Sequence, residues 1–221
     1  ATITSGGGNV IVDGQGGGST TSAYNHGITL YNGATLTAGG NGTVTVTGSG
    51  GNSNGDFNVG VVVSAKTAAA EITSSGGAVL VTGSGGGKNA SKRNYGIEVH
   101  SGGLITSGAD ATVDINGTGG DAAGDANFGL FVWGASDAQQ SSRITSGGGT
   151  LTVTGQGAGT EFSGYNYGVL VYDAGVITAT DTGIVNITGR GGNSAGTRNL
   201  GVYVNGDKST ITSAGGNVLV T

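Results

Sequence analysis

The sequence predicts an all-β chain, wound as a right-handed parallel β-helix (a β-solenoid) with three strands per coil and about 6.5 coils. Two observations carry this prediction. Six times in 221 residues an Asn, a variable residue and a Gly open a short β-branched run, at Asn25, Asn58, Asn94, Asn127, Asn166 and Asn199. Their spacings are 33, 36, 33, 39 and 33 residues, the length of a unit that buries its apolar face only by stacking on its neighbours. Each repeat also carries two further segments with period-two apolar alternation, which marks strands.

The elements follow in order within each repeat. The first strand is the run after Asn-x-Gly, as in Gly129-Leu130-Phe131-Val132. The second reads Ile-Thr-Ser or a near variant, with its apolar residue at Ile3, Leu36, Ile72, Ile105, Ile144, Ile177 and Ile211. The third alternates Val10/Val12, Val44/Val46, Val79/Val81, Val113/Ile115, Leu151/Val153, Val185/Ile187 and Val218/Val220. No window sustains a helical period, and glycine, 51 residues here, disfavours helix by about 1 kcal/mol at each interior position. The turns between second and third strands and between third and first strands keep near-constant lengths. The first-to-second connection varies most, being longest at Gly134–Ser142 and next longest around Ala65–Ala70. Like strands superposed from coil to coil give three parallel sheets, a coil rise of about 4.8 Å and a rod roughly 30 Å long. A coil of this size with variable loops favours the right-handed form over the tight left-handed one built from hexapeptides.

Alternation continued through the Asn-x-Gly glycine places the variable residue inside the coil. The expected interior column is His26, Val59, Tyr95, Phe128, Tyr167 and Leu200, backed by Ile28, Val61, Ile97, Leu130, Val169 and Val202. The six Asn residues are expected to stack as a structural ladder at a turn. Their side-chain amides would bond up and down the stack, and Asn tolerates the left-handed backbone such a turn needs.

Composition excludes several classes. There is no Cys, so no disulfide framework and few routes to a zinc site. Only 8 basic residues stand against 13 acidic ones, a net charge of −5, which argues against nucleic acid and anionic lipid as partners. No apolar run approaches the roughly 20 residues that cross a bilayer, so no membrane insertion is expected. No cofactor is implied. Asp110, Asp114, Asp121 and Asp125 form the one acidic grouping, a weak Ca²⁺ candidate without the Gly-Gly-x-Gly-x-Asp series of a calcium roll, and no metal site is assigned. The Gly-x-Gly-Gly runs lead into loop rather than helix, which removes a phosphate-cradling role.

The outward positions of the first strand are the least uniform. One column runs Thr29, Val62, Glu98, Phe131, Leu170, Tyr203, and its neighbour Tyr31, Ser64, His100, Trp133, Tyr172, Asn205. Phe131, Trp133, Leu170, Tyr172 and Tyr203 are therefore the candidate ligand-binding residues, facing solvent beside the longest turn. Planar rings on a flat sheet suit stacking on sugar faces. The competing reading is that a loop or a neighbouring domain covers them. The second strand carries an unbroken threonine rank, Thr4, Thr37, Thr73, Thr106, Thr145, Thr178 and Thr212, of the kind found on ice-binding solenoids. The rank two residues earlier includes Glu71, Leu104, Arg143 and Val176, which spoils a two-rank lattice and favours a structural hydroxyl ladder. Carbohydrate-active β-helix enzymes need clustered carboxylates or a carboxylate with Lys or Arg, and here the acids are scattered, so no catalytic residue is assigned and the chain reads as a non-enzyme.

Repeats of the form Ile-Thr-Ser-Gly-Gly, Val-x-Val-Thr-Gly-x-Gly-Gly and Asn-x-Gly-Val-x-Val resemble the right-handed β-helical stalks of large bacterial exoproteins, of the filamentous-haemagglutinin and autotransporter-passenger kinds. The resemblance spans the whole chain and is one of repeat style. It implies export, display outside the cell and adhesion, with glycans or cell-surface proteins of a host or partner cell as the partners. Residues 1–221 read as a single uncapped segment of a longer array, because Ala1-Thr-Ile-Thr-Ser opens on a second strand and Val218-Leu-Val-Thr221 ends in a third. Uncapped coils would also permit end-to-end self-association. The expected function is a structural stalk and adhesion segment of a secreted or surface-displayed bacterial protein. A carbohydrate-active enzyme and an ice-binding solenoid stand as the alternatives.

Overall fold

Val, Ile and Thr at alternate positions favour extended backbone, because branching at Cβ suits a pleated, half-buried surface. Each such run is a strand of four to six residues, or three at Leu104–Thr106 and Val218–Val220, in the computed structural model, which describes residues 1–134 and 141–221. Much of the longest turn, residues 135–140, lies outside the described residues. Twenty strands wind as six coils and part of a seventh, with no α-helix among the described residues.

The strands form three wholly parallel sheets. One holds the Ile-Thr-Ser strands, running from Thr2–Ser5 through Thr35–Ala38 to Thr210–Ser213. A second holds the Val-x-Val strands, from Val10–Gln15 through Val113–Thr118 to Val218–Val220. The third holds the six strands after Asn-x-Gly: Ile28–Tyr31, Val61–Ser64, Ile97–His100, Leu130–Trp133, Val169–Tyr172 and Val202–Asn205. Register is strict. Ile105 pairs with Ile72 on one side and Ile144 on the other, and Leu130 lies between Ile97 and Val169. A slip by one residue would turn every core side chain to solvent, so the core itself holds the register.

That core is a continuous aliphatic column containing no aromatic ring. Leu36, Ile72, Ile105, Ile144 and Ile177 meet Val44/Val46, Val79/Val81, Val113/Ile115, Leu151/Val153 and Val185/Ile187, and the third sheet adds Val61/Val63, Ile97/Val99, Leu130/Val132 and Val169/Val171. Each fully buried side chain of this kind stabilises the fold by about 1.5–3 kcal/mol.

A contact between glycines closes each coil. The glycine ending the Val-x-Val strand meets the glycine of Asn-x-Gly backbone to backbone: a Cβ on Gly48 would overlap the Gly60 carbonyl, and one on Gly117 the Gly129 carbonyl. The reverse holds as well, since a Cβ on Gly129 would run into the backbone N of Gln156 on the next coil. This pinch separates the aliphatic column from a narrow side lobe made by the ten-odd residues between the two glycines. It also corrects the column expected from sequence. His26, Val59, Tyr95, Phe128, Tyr167 and Leu200 do not enter the coil, because the chain turns at the pinch and alternation does not run through the glycine. They lie outside the aliphatic column, where Val59, Tyr95, Phe128 and Tyr167 build a second apolar cluster with Val62 and Leu170.

The asparagines line the side lobe, and Asn58, Asn94, Asn127 and Asn166 are fully buried there. Asn25 Nδ2 donates to Asn58 Oδ1 at 2.7 Å, Asn58 Nδ2 to Asn94 Oδ1 at 3.0 Å, Asn94 Nδ2 to Asn127 Oδ1 at 3.0 Å, and Asn166 Nδ2 to Asn199 Oδ1 at 3.0 Å. From Asn127 to Asn166 the backbone N–H makes the step, at 3.0 Å, while the Asn127 amide donates to the Gly124 carbonyl at 2.6 Å. The left-handed residue of this turn is not the Asn but the residue before it: Tyr24, Phe57, Arg93, Ala126, Tyr165 and Arg198 all have φ between 57° and 65°. Each such residue other than glycine costs about 1–2 kcal/mol. The Asn side chain offsets that cost by bonding back to the carbonyl three residues earlier, at Ser22, Gly55, Gly124, Ser163 and Gly196.

Two expected outcomes test this architecture. Gly129→Ala loses about 1–3 kcal/mol or more, because backbone atoms on two sides cannot yield to a methyl. Gly6→Ala, with open space around it, stays within about 0.5 kcal/mol of wild type; equal melting temperatures for the two variants would remove the pinch. Asn127→Ala strands the Asn94 amide and costs about 1–3 kcal/mol in urea unfolding, against little for the exposed Asn193→Ala.

Candidate functional site

Since the pinch turns the Asn-x-Gly variable residue outward, one side of the solenoid carries four files of side chains parallel to its axis. The first is the left-handed file, Tyr24, Phe57, Arg93, Ala126, Tyr165, Arg198. The second is His26, Val59, Tyr95, Phe128, Tyr167, Leu200. The third and fourth stand on the strands themselves, held in register as Val62–Glu98–Phe131–Leu170–Tyr203 and Ser64–His100–Trp133–Tyr172–Asn205, with Thr29 and Tyr31 at the head. All seven tyrosines, the tryptophan, three of the four phenylalanines and both histidines fall in these files. Only Phe162, 83% exposed on a loop, lies apart.

The coil rise sets the ring geometry. Tyr95, Phe128 and Tyr167 stack along the axis with centroids 4.8 and 5.1 Å apart and planes within 8° and 19°. Phe131 stands across this stack, at 72° to Tyr95 and 80° to Phe128. Trp133 runs parallel to Phe131 at 6.1 Å, and His100 lies over Trp133 at 6.1 Å. Edge-to-face and offset-stacked pairs of this kind are the preferred ring geometries. At the margin Tyr24 stacks on Phe57 at 5.0 Å, Arg93 lies over Phe57 and Arg198 over Tyr165.

The five residues expected to bind ligand are thus brought onto one surface, but they do not stand free in solvent. Leu170 is buried, Phe131, Tyr172 and Tyr203 are half-buried against the inner ring cluster, and Trp133 is half-buried beside Phe131 and His100. The cover is supplied by neighbouring files of the same face. Within these files the most exposed rings are Tyr24, Tyr31 and Tyr165; Tyr31 heads an outward column already expected from sequence, whereas Tyr24 and Tyr165, next to the asparagines, were not among the expected surface residues.

Glu98 is the one acid within these files. It has Val62 and Phe131 on the flanking coils and Tyr95 and His100 on its own, and burial pushes its carboxyl up to about 7. Burial likewise raises the Tyr95 phenol, with the Glu98 charge adding to the effect, and lowers His100. His26 is lowered by burial first and by His100 second. The signal for Glu98 was available in the sequence as a lone charge in an otherwise apolar and hydroxylated column.

Other candidates separate. The threonine rank faces outward, but six of its hydroxyls donate to the carbonyl of the following residue at 3.2–3.5 Å, so they do not form a ladder between coils. Among the described residues no three His, Asp or Glu side chains converge as a metal set. A shallow polar cleft of about 520 Å³ lies across the side lobes, lined by glycines with Asn52, Lys88, Asn89 and Asp121. Comparison with known protein families, with characterised proteins and with solved structures gives no match for the chain.

The Glu98 environment predicts a pH dependence of stability. The folded state holds the Glu98 proton up to about pH 7, whereas the unfolded chain releases it near 4.5. Stability from this group is therefore present below pH 4.5 and lost as pH rises through 7, by on the order of 2–4 kcal/mol. Thermal melts from pH 4 to 8 should show this fall in wild type and not in Glu98→Gln; parallel curves would sink the assignment.

Proposed function

We propose that this chain is a rigid stalk and adhesive segment of a secreted or surface-displayed bacterial protein, whose aromatic face docks glycans or proteins of another cell surface. The observation that carries this reading is the gathering of nearly all the rings on one side of an aliphatic solenoid. The core needs none of them, since it closes with Val, Ile, Leu and Ala alone. Rings retained outside a finished core are free to serve contact, and aromatic side chains supply large contact area at low conformational cost. A run of parallel strands spaces these rings regularly along the axis, which suits a linear polymer with a repeating unit. Low charge, high Gly, Thr, Ser and Asn, and the resemblance in repeat style to exoprotein stalks support the location outside the cell.

The test is binding on a panel of neutral and charged oligosaccharides, read by calorimetry, with the fluorescence of Trp133, the only tryptophan, as a second readout for the wild-type protein. Trp133→Ala with Tyr172→Ala should lower affinity tenfold or more while the protein stays folded by circular dichroism. These rings are half-buried, so a modest loss in melting temperature accompanies the change. If no glycan binds, or if the double variant binds as wild type does, the glycan-docking reading fails and a stalk remains.

A further inference from the structure

Glu98 is a member of the aromatic face that packing does not account for. It sits mid-strand in the Ile97–His100 run, in register between Val62 and Phe131. Tyr95 and His100 flank it on its own coil, with Phe128 beside Tyr95 and Trp133 beside His100. Its carboxyl is displaced by burial with neither a cation nor a hydrogen-bond donor acting on it among the described residues. Arg93, on the same coil, holds its guanidinium over the Phe57 ring at 5.2 Å instead. His100 Nδ1 lies 3.0 Å from Ser101 Oγ, and burial holds the ring toward its neutral form. The carboxyl is nevertheless not sealed in. Glu98 keeps partial exposure, and no enclosed side-chain oxygen or nitrogen lacks a partner among the described residues.

An acid group thus opens to the surface from the middle of a ring cluster. The ligand that relieves such a charge must be cationic, must shed its hydration cheaply, and must find few hydrogen-bond acceptors sufficient. A primary ammonium presents three donors, and beside the carboxylate the surroundings offer only the Tyr95 phenol and a His100 ring already set against Ser101, the rest being rings and the Val62 methyls. A divalent metal needs several oxygen ligands, and no second acid converges here among the described residues. A quaternary ammonium needs none of these. Its charge is spread over methyl groups that pack on ring faces, while one carboxylate supplies the counter-charge.

We propose that the surface around Glu98 binds a quaternary-ammonium group of the choline type, its charge against the Glu98 carboxylate and its methyl groups on Tyr95, Phe131 and Trp133. This site shares Trp133 with the glycan-docking face but does not rest on that function, since Glu98 has no part in ring stacking on sugar.

The test titrates the intact protein with choline chloride, followed by Trp133 fluorescence and by calorimetry at constant ionic strength. The control is the neutral isostere of choline in which carbon replaces nitrogen. Saturable choline binding is expected at pH 8, at least tenfold tighter than that of the isostere. Glu98→Gln should weaken choline at least tenfold without lowering the melting temperature, and Tyr95→Leu should weaken it while leaving the acid in place. The titratable groups facing Glu98 are Tyr95 and His100 of its own coil; Val62 and Phe131 on the flanking coils carry none. Choline binds the ionised acid, so wild-type affinity should be full above about pH 7 and fall roughly tenfold per unit below it, with no such fall in Glu98→Gln. Glycerophosphocholine that competes with choline identifies a free head group, and capture by phosphatidylcholine vesicles that Glu98→Gln abolishes identifies a lipid surface; either supports the site. Equal responses to choline and its isostere, wild-type affinity in Glu98→Gln, or no saturable choline binding would overturn it.

Discussion

The close approach of two glycine backbones in every coil is the constraint on which the rest of this molecule depends. Where Gly117 meets Gly129, or Gly155 meets Gly168, no side chain fits. That contact shuts the aliphatic column, so Val, Ile and Leu fill it without help from larger residues. It also diverts the chain into a side lobe, and in doing so turns the Asn-x-Gly variable residue outward. One steric fact therefore produces both the ring-free core and the ring-rich face. A bulkier residue at the pinch would force the coils apart by more than the spacing that parallel hydrogen bonds allow.

The side lobe then has to satisfy its own backbone, because a buried loop cannot leave N–H and C=O groups unpaired. Coil-to-coil bonds continue through it: Phe57 N–H donates to the Lys92 carbonyl at 3.0 Å and Arg93 N–H to the Asp125 carbonyl at 3.1 Å. These residues are left-handed, which neither Phe nor Arg favours. The asparagine amide resolves the conflict by serving two directions at once, back to its own turn and along the stack. Each amide is held by the coil beside it, so the strain of one turn is compensated only within the array. A single repeat would lack that support.

The scaffold was legible in sequence because each of its requirements recurs. Ile72, Ile105 and Ile144 repeat in phase, Val79/Val81 and Val113/Ile115 alternate, and the glycine triplets punctuate; from these the three parallel sheets and the registers follow. The misplaced column shows where such reading stops. Period two is a property of continuous extended chain, and Gly60 or Gly129 is where extension ends, so a parity argument carried through it assigned Tyr95 and Phe128 to the wrong side. The left-handed file was equally hidden, for Tyr24, Phe57, Arg93 and Ala126 share no chemistry that announces such a backbone. Its cause lies in the asparagine that follows, a tertiary device rather than a local preference. Glu98 was visible as an odd member of a column, but its meaning depended on knowing that both neighbouring columns are rings.

Regularity and function are consequently divided among the sheets. At their inward positions the Ile-Thr-Ser and Val-x-Val sheets repeat almost without variation, since both meet the same aliphatic column. On the third sheet only the inward residues are so bound; the outward files must merely cover one another. Coil by coil they change from Phe57, Val59 and Val62 to Arg93, Tyr95, Glu98 and His100, and then to Phe128, Phe131 and Trp133. A single coil thus places acid, imidazole and guanidinium between two apolar neighbours, on a backbone that the stack above and below holds in position. A scaffold that demands identity on its inside leaves its outward positions as the means by which one coil differs chemically from the next, and Glu98 is the departure whose charge no other described residue compensates.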